Sequence, residues 1–166
     1  LAWGAILQGW VLAERRQEEE GLAQLRQGLV ASRATGVEIG RPYYLALLAD
    51  ACRKIGQTEE GLVLLAEALE VVHRTAERAP DAELYRLKGE LLLQSRQPSA
   101  VSDAEECFLQ AIEVARKQSA KSWELRAATS LARLWQQQGK RQEAYDLLAP
   151  VYNWFTEGFD TLDLKD

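Results

Sequence analysis

The sequence predicts an all-α chain in which one helical hairpin recurs four times. Three observations carry this. Leu, Ala, Glu, Arg and Gln fill most of the 166 positions, and these residues lose little side-chain freedom in a helix. The stretch Tyr44–Glu70, YLALLADACRKIGQTEEGLVLLAEALE, reads as a helix, a break at Gly56 and a second helix, and it falls on itself again when slid by 40 residues. There are only four prolines, and no long alternation of apolar and polar residues that would mark strands.

The repeat is legible in four columns. A small residue stands in the middle of each first helix at Gly9, Ala49, Gly89 and Ala132, and another early in each second helix at Gly21, Gly61, Ala104 and Ala144. Four residues later comes a large plug, Leu25, Leu65, Phe108 and Leu148, and three further on Gly28, Ala68, Ala111 and Val151. Small residues let two helices cross closely, and the plug fills the space beside the crossing. In this pattern the chain resembles tetratricopeptide-type repeats over essentially its whole length. The resemblance implies a right-handed alpha-alpha superhelix, a solenoid of four helical hairpins with a partial C-terminal capping helix. It implies a single repeat domain over 1–166, with units at about 2–36, 42–78, 81–118 and 121–157 and a cap at 160–166.

The usual unit of this type has about 34 residues. The longer step here, at about 1.5 Å of rise per residue, lengthens each helix by nearly a turn. Such long-helix repeats look like those of bacterial signal-transduction regulators of the maltose-activator type. The segment from Ala120 to Asp166 also resembles the C-terminal tail of large bacterial proteins that join a nucleotide-cyclase or regulator domain, a predicted ATPase and a helical array. A chain that lacks Met and starts at Leu1 inside a helical pattern reads as a piece of a longer protein.

The elements follow in order. Trp3 and Trp10, seven apart, share a face of the first helix; Glu18–Glu20 open the second, where acidic side chains suit the positive end of the helix dipole. Gly36 and Pro42 punctuate the join to the second unit, Pro42 being suited to a first helical turn. Glu59 and Glu60 favour the start of the next helix. Pro80 and Asp81 begin the third unit; Ser95–Ser102 forms its loop, and Ser102 or Asp103 caps the helix that follows. Gly139 stops a helix as Gly56 does. Pro150 either kinks the last second helix or divides it, Gly158 ends it, and Asp160 or Thr161 opens a final short segment. Trp123, Trp135 and Trp154 are expected in the core, with Phe155 and Phe159 beneath the cap.

Charge and composition narrow the function. A net charge of −5 argues against general nucleic-acid binding, which needs a basic surface. No apolar run approaches the roughly 18 residues of a membrane span. Cys52 and Cys107 lie on apolar helical faces and read as reduced, buried thiols, which suits the cytoplasm. His73 is the lone histidine and reads as a surface residue near a helix C-terminus. No phosphate-cradling glycine motif, nucleophile–base pair or metal cluster is written in the sequence, so neither catalysis, cofactor nor metal is expected.

In arrays of this kind the first helices line a concave face, and ligand-contacting residues recur at four places per unit. The resemblance carries those places onto Trp3, Ile6, Trp10 and Ala13 in the first unit, and onto Tyr43, Ala46, Asp50 and Arg53 in the second. In the third they are Glu83, Arg86, Glu90 and Leu93, and in the fourth Arg126, Thr129, Arg133 and Gln136. Aromatic and Arg side chains dominate binding hot spots. The expected function is therefore protein or peptide binding without catalysis, as the sensing or interaction arm of a larger bacterial regulator. Charge reversal at Arg86 and Arg133 is expected to weaken binding and spare the fold. Two other readings are an effector-sensing domain for a small molecule and a homo-oligomerisation module using exposed solenoid ends.

Overall fold

The computed structural model describes residues 2–15, 17–34, 36, 39–75 and 78–165. Among them nine helices and no strand are present: α1 (Ala2–Glu14), α2 (Glu18–Ala34), α3 (Arg41–Lys54), α4 (Thr58–Thr75), α5 (Asp81–Gln94), α6 (Ala100–Lys117), α7 (Lys121–Gln137), α8 (Arg141–Tyr152) and α9 (Leu162–Lys165). The chain packs as two compact lobes, Leu1–Pro80 with Gln94–Gln97, and Asp81–Leu93 with Pro98–Asp166.

In the first lobe α1 and α2 cross at glycines. A Cβ built on Gly21 would lie 2.5 Å from the Ala13 nitrogen and 2.6 Å from the Gly9 carbonyl oxygen, and one on Gly9 would lie 2.7 Å from the Leu25 nitrogen. No side chain fits between backbones that close. Leu25 fills the space beside the crossing and is fully buried, as Leu65 is in the α3–α4 hairpin. The second hairpin stacks on the first through α3, with the Trp3 and Tyr44 rings 6.0 Å apart. Ion pairs rim the junction: Arg26–Glu60 at 2.6 Å, Arg33–Glu67 at 2.5 Å, and Lys54–Glu14. Half-exposed pairs of this kind add little stability each.

In the second lobe the α5–α6 crossing is Gly89 against Phe108, whose Cε1 stands 2.5 Å from where a Cβ on Gly89 would be. Phe108 is fully buried. The next hairpin, α7–α8, is joined to it by polar bonds: the Ser130 hydroxyl donates to Glu90 at 2.6 Å, and the Trp135 indole N–H donates to Glu105 at 2.8 Å. Leu164 of α9 is buried, and α9 packs on α7.

The turns explain where helices stop. At Gly56 (φ +75°) the Gln57 N–H reaches back to the Cys52 carbonyl at 2.8 Å and the Gly56 N–H to Arg53 at 3.2 Å; at Gly139 (φ +81°) Lys140 and Gly139 repeat both bonds onto Trp135 and Gln136. This doubly bonded, left-handed stop favours glycine. The same pair of bonds closes α6, but there Ser119 takes the left-handed position at φ +54°.

Several local expectations are corrected. α6 begins at Ala100, not after Ser102; the Ser99 hydroxyl donates to the Asp103 carboxylate and the Ser102 hydroxyl to the Ser99 carbonyl, so no side chain caps the helix. α8 carries Pro150 inside it and ends two residues later at Tyr152, with Asn153 as its cap, so Gly158 ends no helix. Gly158 instead starts the turn before α9, accepting from Thr161. Because α8 stops early, the aromatics beyond it are not core: Trp154 is 58% and Phe159 47% exposed, the latter against the Tyr152 ring at 5.9 Å. Trp123 and Trp135 are half-buried, the Trp135 indole N–H donating to Glu105.

Candidate functional site: an open trough on the last hairpin

The anticipated binding residues fall into two groups, one in each lobe. In the first, Trp3, Trp10 and Tyr43 are exposed aromatic side chains, while Ile6, Ala13 and Ala46 are buried. Asp50, in the same lobe, pairs with Arg53 at 2.8 Å and Lys54 at 3.2 Å. Burial pushes the Asp50 carboxyl up, but the two cations, by charge and by hydrogen bond, outweigh it and hold it below its ordinary value.

In the second lobe most of the anticipated charges are already committed to one another. Arg86 is only 8% exposed and grips Glu83 with two bonds of 2.8 Å, with Glu90 at 3.4 Å. Arg126 reaches Glu83 at 3.0 Å and Asp163 at 3.5 Å. This network is structural in its geometry: it ties α5, α7 and the segment of α9 together. Charge reversal at Arg86 would set a third carboxylate beside Glu83 and Glu90 in a buried place, so the expectation that the fold would tolerate it is overturned. Leu93 is half-buried.

Arg133 lies elsewhere. With Thr129 and Gln136 it lines an open cavity of about 550 Å³ on the outer face of α7 and α8. The rest of the wall comes from α8, chiefly Arg141, Tyr145, Leu148, Ala149 and Tyr152. Comparison along the repeat shows what this cavity is. The column spacing aligns Tyr145 with Leu22, Leu148 with Leu25 and Tyr152 with Leu29. In the first hairpin, against which α3 packs, those leucines are 3%, 0% and 8% exposed. On the last hairpin Tyr145 is 67% and Tyr152 38% exposed, and Leu148 is half-buried. The trough thus matches in register the surface of the first hairpin against which α3 packs.

The α8 residues were outside the sequence expectation, which carried over positions of first helices alone. A signal was available: Tyr145 and Tyr152, seven apart on one helical face, put hydroxyl-bearing aromatics where the first hairpin has leucine. An aromatic with a polar tip serves a surface that is half wet.

The chemistry of nucleophiles is muted throughout. Cys52 and Cys107 are buried free thiols. Burial, with the Glu60 charge added, pushes Cys52 up to about 11, and burial raises Cys107 too. A second cavity of about 550 Å³ in the second lobe is lined by Cys107 with Lys88, Asp103 and Glu106, one cation against two carboxylates. Among the described residues no group of three His, Cys, Asp or Glu is placed to hold a metal, and none of their helices is long and apolar enough to cross a membrane. His73 is exposed.

Each hairpin sets small residues at its crossing and a large plug beside it. Two solved structures of TPR-like repeats from Podosopora anserina, described by the name kinesin light chain, are similar to the chain. One, a variant, shares 22% identity with a TM-score of 0.47, covering 90% of this chain and 92% of that one; the parent shares 22% with a TM-score of 0.45 over the same shares. The chain matches no protein-family profile and no curated protein.

Proposed function

We propose that the chain is a non-catalytic protein-binding scaffold and that its principal binding surface is the α7–α8 trough. One observation carries this: a trough whose counterpart in the first hairpin is packed against a helix here stands open, walled by Tyr145, Leu148 and Tyr152 and rimmed by Arg133 and Arg141. Its dimensions and lining suit an amphipathic helix, laid in as α3 is laid on the first hairpin. The apolar floor supplies the burial, and the guanidinium groups at the rim favour acidic residues flanking the apolar face. A preformed trough loses little order on binding, which favours affinity.

Of the other anticipated contacts, Trp3, Trp10, Tyr43, Asp50 and Arg53 form a separate aromatic and charged face in the first lobe, suited to an extended peptide. The Glu83, Arg86, Glu90 and Arg126 network is assigned a supporting part. The resemblance of 120–166 to the tails of bacterial regulators makes the setting a cytoplasmic signalling protein, with this chain as its interaction arm.

The test is a display selection of random helical peptides on the purified chain, followed by affinity measurement on the Tyr145→Glu variant. Selected peptides should lose at least tenfold in affinity, about 1.4 kcal/mol. Peptides that bind wild type and Tyr145→Glu equally would place the binding surface elsewhere.

A further inference from the structure

We infer that the face of α7 beneath α9 is a second recognition site, taken in this structure by the chain's own Asp163 and Leu164. A partner segment of the same chemistry, a carboxylate followed directly by leucine, enters when α9 swings out. The inference stands apart from the α7–α8 trough and draws on contacts within the second lobe alone. The first argument is a divided guanidinium. Arg126 gives its Nη1 to Glu83 at 3.0 Å and its Nε to Asp163 at 3.5 Å. Glu83 is buried and accepts two further bonds from Arg86, so it fixes Arg126 whether or not α9 is in place. Leu164 of α9, which packs on α7, is buried, and its Cδ1 stands 3.7 Å from where a Cβ on Gly158 would be. The surface therefore sets a preoriented N–H donor close to an apolar seat, which matches a carboxylate and a leucine that are neighbours in sequence.

The second argument is how α9 is held. It has four residues, and among their described side chains Leu164 is buried while Asp163 and Lys165 are exposed. The tether 153–161 lies outside any helix and is largely exposed, with the Phe159 ring against Tyr152. The Arg126–Asp163 pair joins side chains 37% and 45% exposed, so water screens it. Release strands no buried charge, because Arg126 keeps Glu83 and Asp163 is already wet. Segments with so few buried contacts open far below the free energy of global unfolding. In place, α9 competes with an outside segment at the effective concentration of a short tether, on the order of millimolar. It is at once the latch on the site and a sample of what the site accepts.

The test supplies that sample in trans. A fluorescent peptide of residues 156–166 is titrated onto the full chain and onto two opened variants, Leu164→Glu and Asp163→Lys/Leu164→Glu, with circular dichroism and melting to show that each is folded. Both opened variants should bind the peptide about tenfold more tightly than wild type, whose site is already filled. Peptides carrying Asp163→Lys or Leu164→Glu should not bind the opened variants, and Arg126→Gln added to the Leu164→Glu chain should weaken the unaltered peptide. Equal binding to wild type and opened variants, no binding to either opened variant, or binding indifferent to the peptide's Asp163 and Leu164 would each overturn the inference and leave α9 a fixed cap. Loss of the fold in both opened variants would overturn it too, since α9 would then belong to the core.

Discussion

Glycine does two opposite jobs in this chain, and the difference is measurable. At Gly21 the nearest obstacles to a methyl group are backbone atoms of Ala13 and Gly9, at 2.5 and 2.6 Å, which cannot move without parting the helices. Gly21→Ala should therefore cost about 1–3 kcal/mol in urea unfolding. Gly4 lies in the same hairpin with open space around it, so Gly4→Ala should add up to about 1 kcal/mol by helix propensity alone. Equal effects from the two would mean that the α1–α2 crossing is looser than described. The crossing glycines were legible in the sequence because a small residue returns in register; Gly4 follows no such column. What the sequence did not disclose was the destination of the charges. Arg86 looks like a ligand contact by position, yet its partners Glu83 and Glu90 stand three and four residues away on its own helix and saturate it. Arg86→Glu should cost about 3–5 kcal/mol, as removal of one partner from a buried pair does.

Glu124 gives a pH-dependent prediction at the same scale. Burial raises its carboxyl, but Arg116 at 2.7 Å and Lys121 at 2.7 Å outweigh that and lower it from the ordinary 4.5. A carboxyl depressed on folding stabilises the native state above its unfolded value and loses that contribution as pH falls through its folded value. The melting temperature should fall as the solution is acidified below about 4.5, and Glu124→Gln should remove part of that slope while lowering stability at neutral pH. A slope unchanged by the substitution would show that Glu124 contributes nothing to it.

At the scale of elements, helix stops were readable where glycine marks them and unreadable where it does not. Gly56 and Gly139 announce left-handed stops, and the bonds at both are those the sequence implies. Ser119 makes the same stop without the residue that signals it. An L-residue in that conformation costs roughly 1–2 kcal/mol relative to glycine. Ser119→Gly should accordingly raise stability by about 1 kcal/mol in chemical denaturation; a loss would mean that the hydroxyl contributes more than the backbone strain. The end of α8 was misjudged for a related reason. Pro150 removes one N–H but does not forbid the two residues after it from remaining helical, and the stop falls at Tyr152. From that early stop follows the exposure of Trp154 and Phe159, which composition alone would bury.

For the whole molecule, the repeat explains both the core and the site. Of the four columns of small and large residues, every member is buried except Leu148, which lines the open trough on α7 and α8. A period in sequence predicts what each hairpin buries; it does not say which copy of a surface is left open, because that depends on the neighbour and not on the hairpin. The candidate site was half legible for this reason: Thr129, Arg133 and Gln136 fall where first-helix contacts were expected, and the α8 wall did not. The most direct test of the trough is an amide hydrogen-exchange footprint of the chain with and without a display-selected helical peptide. Protection concentrated in α7 and α8, over residues 129–153, is the predicted result. Protection concentrated instead over α3, around Tyr43, Asp50 and Arg53, would contradict it and return the binding surface to the first lobe.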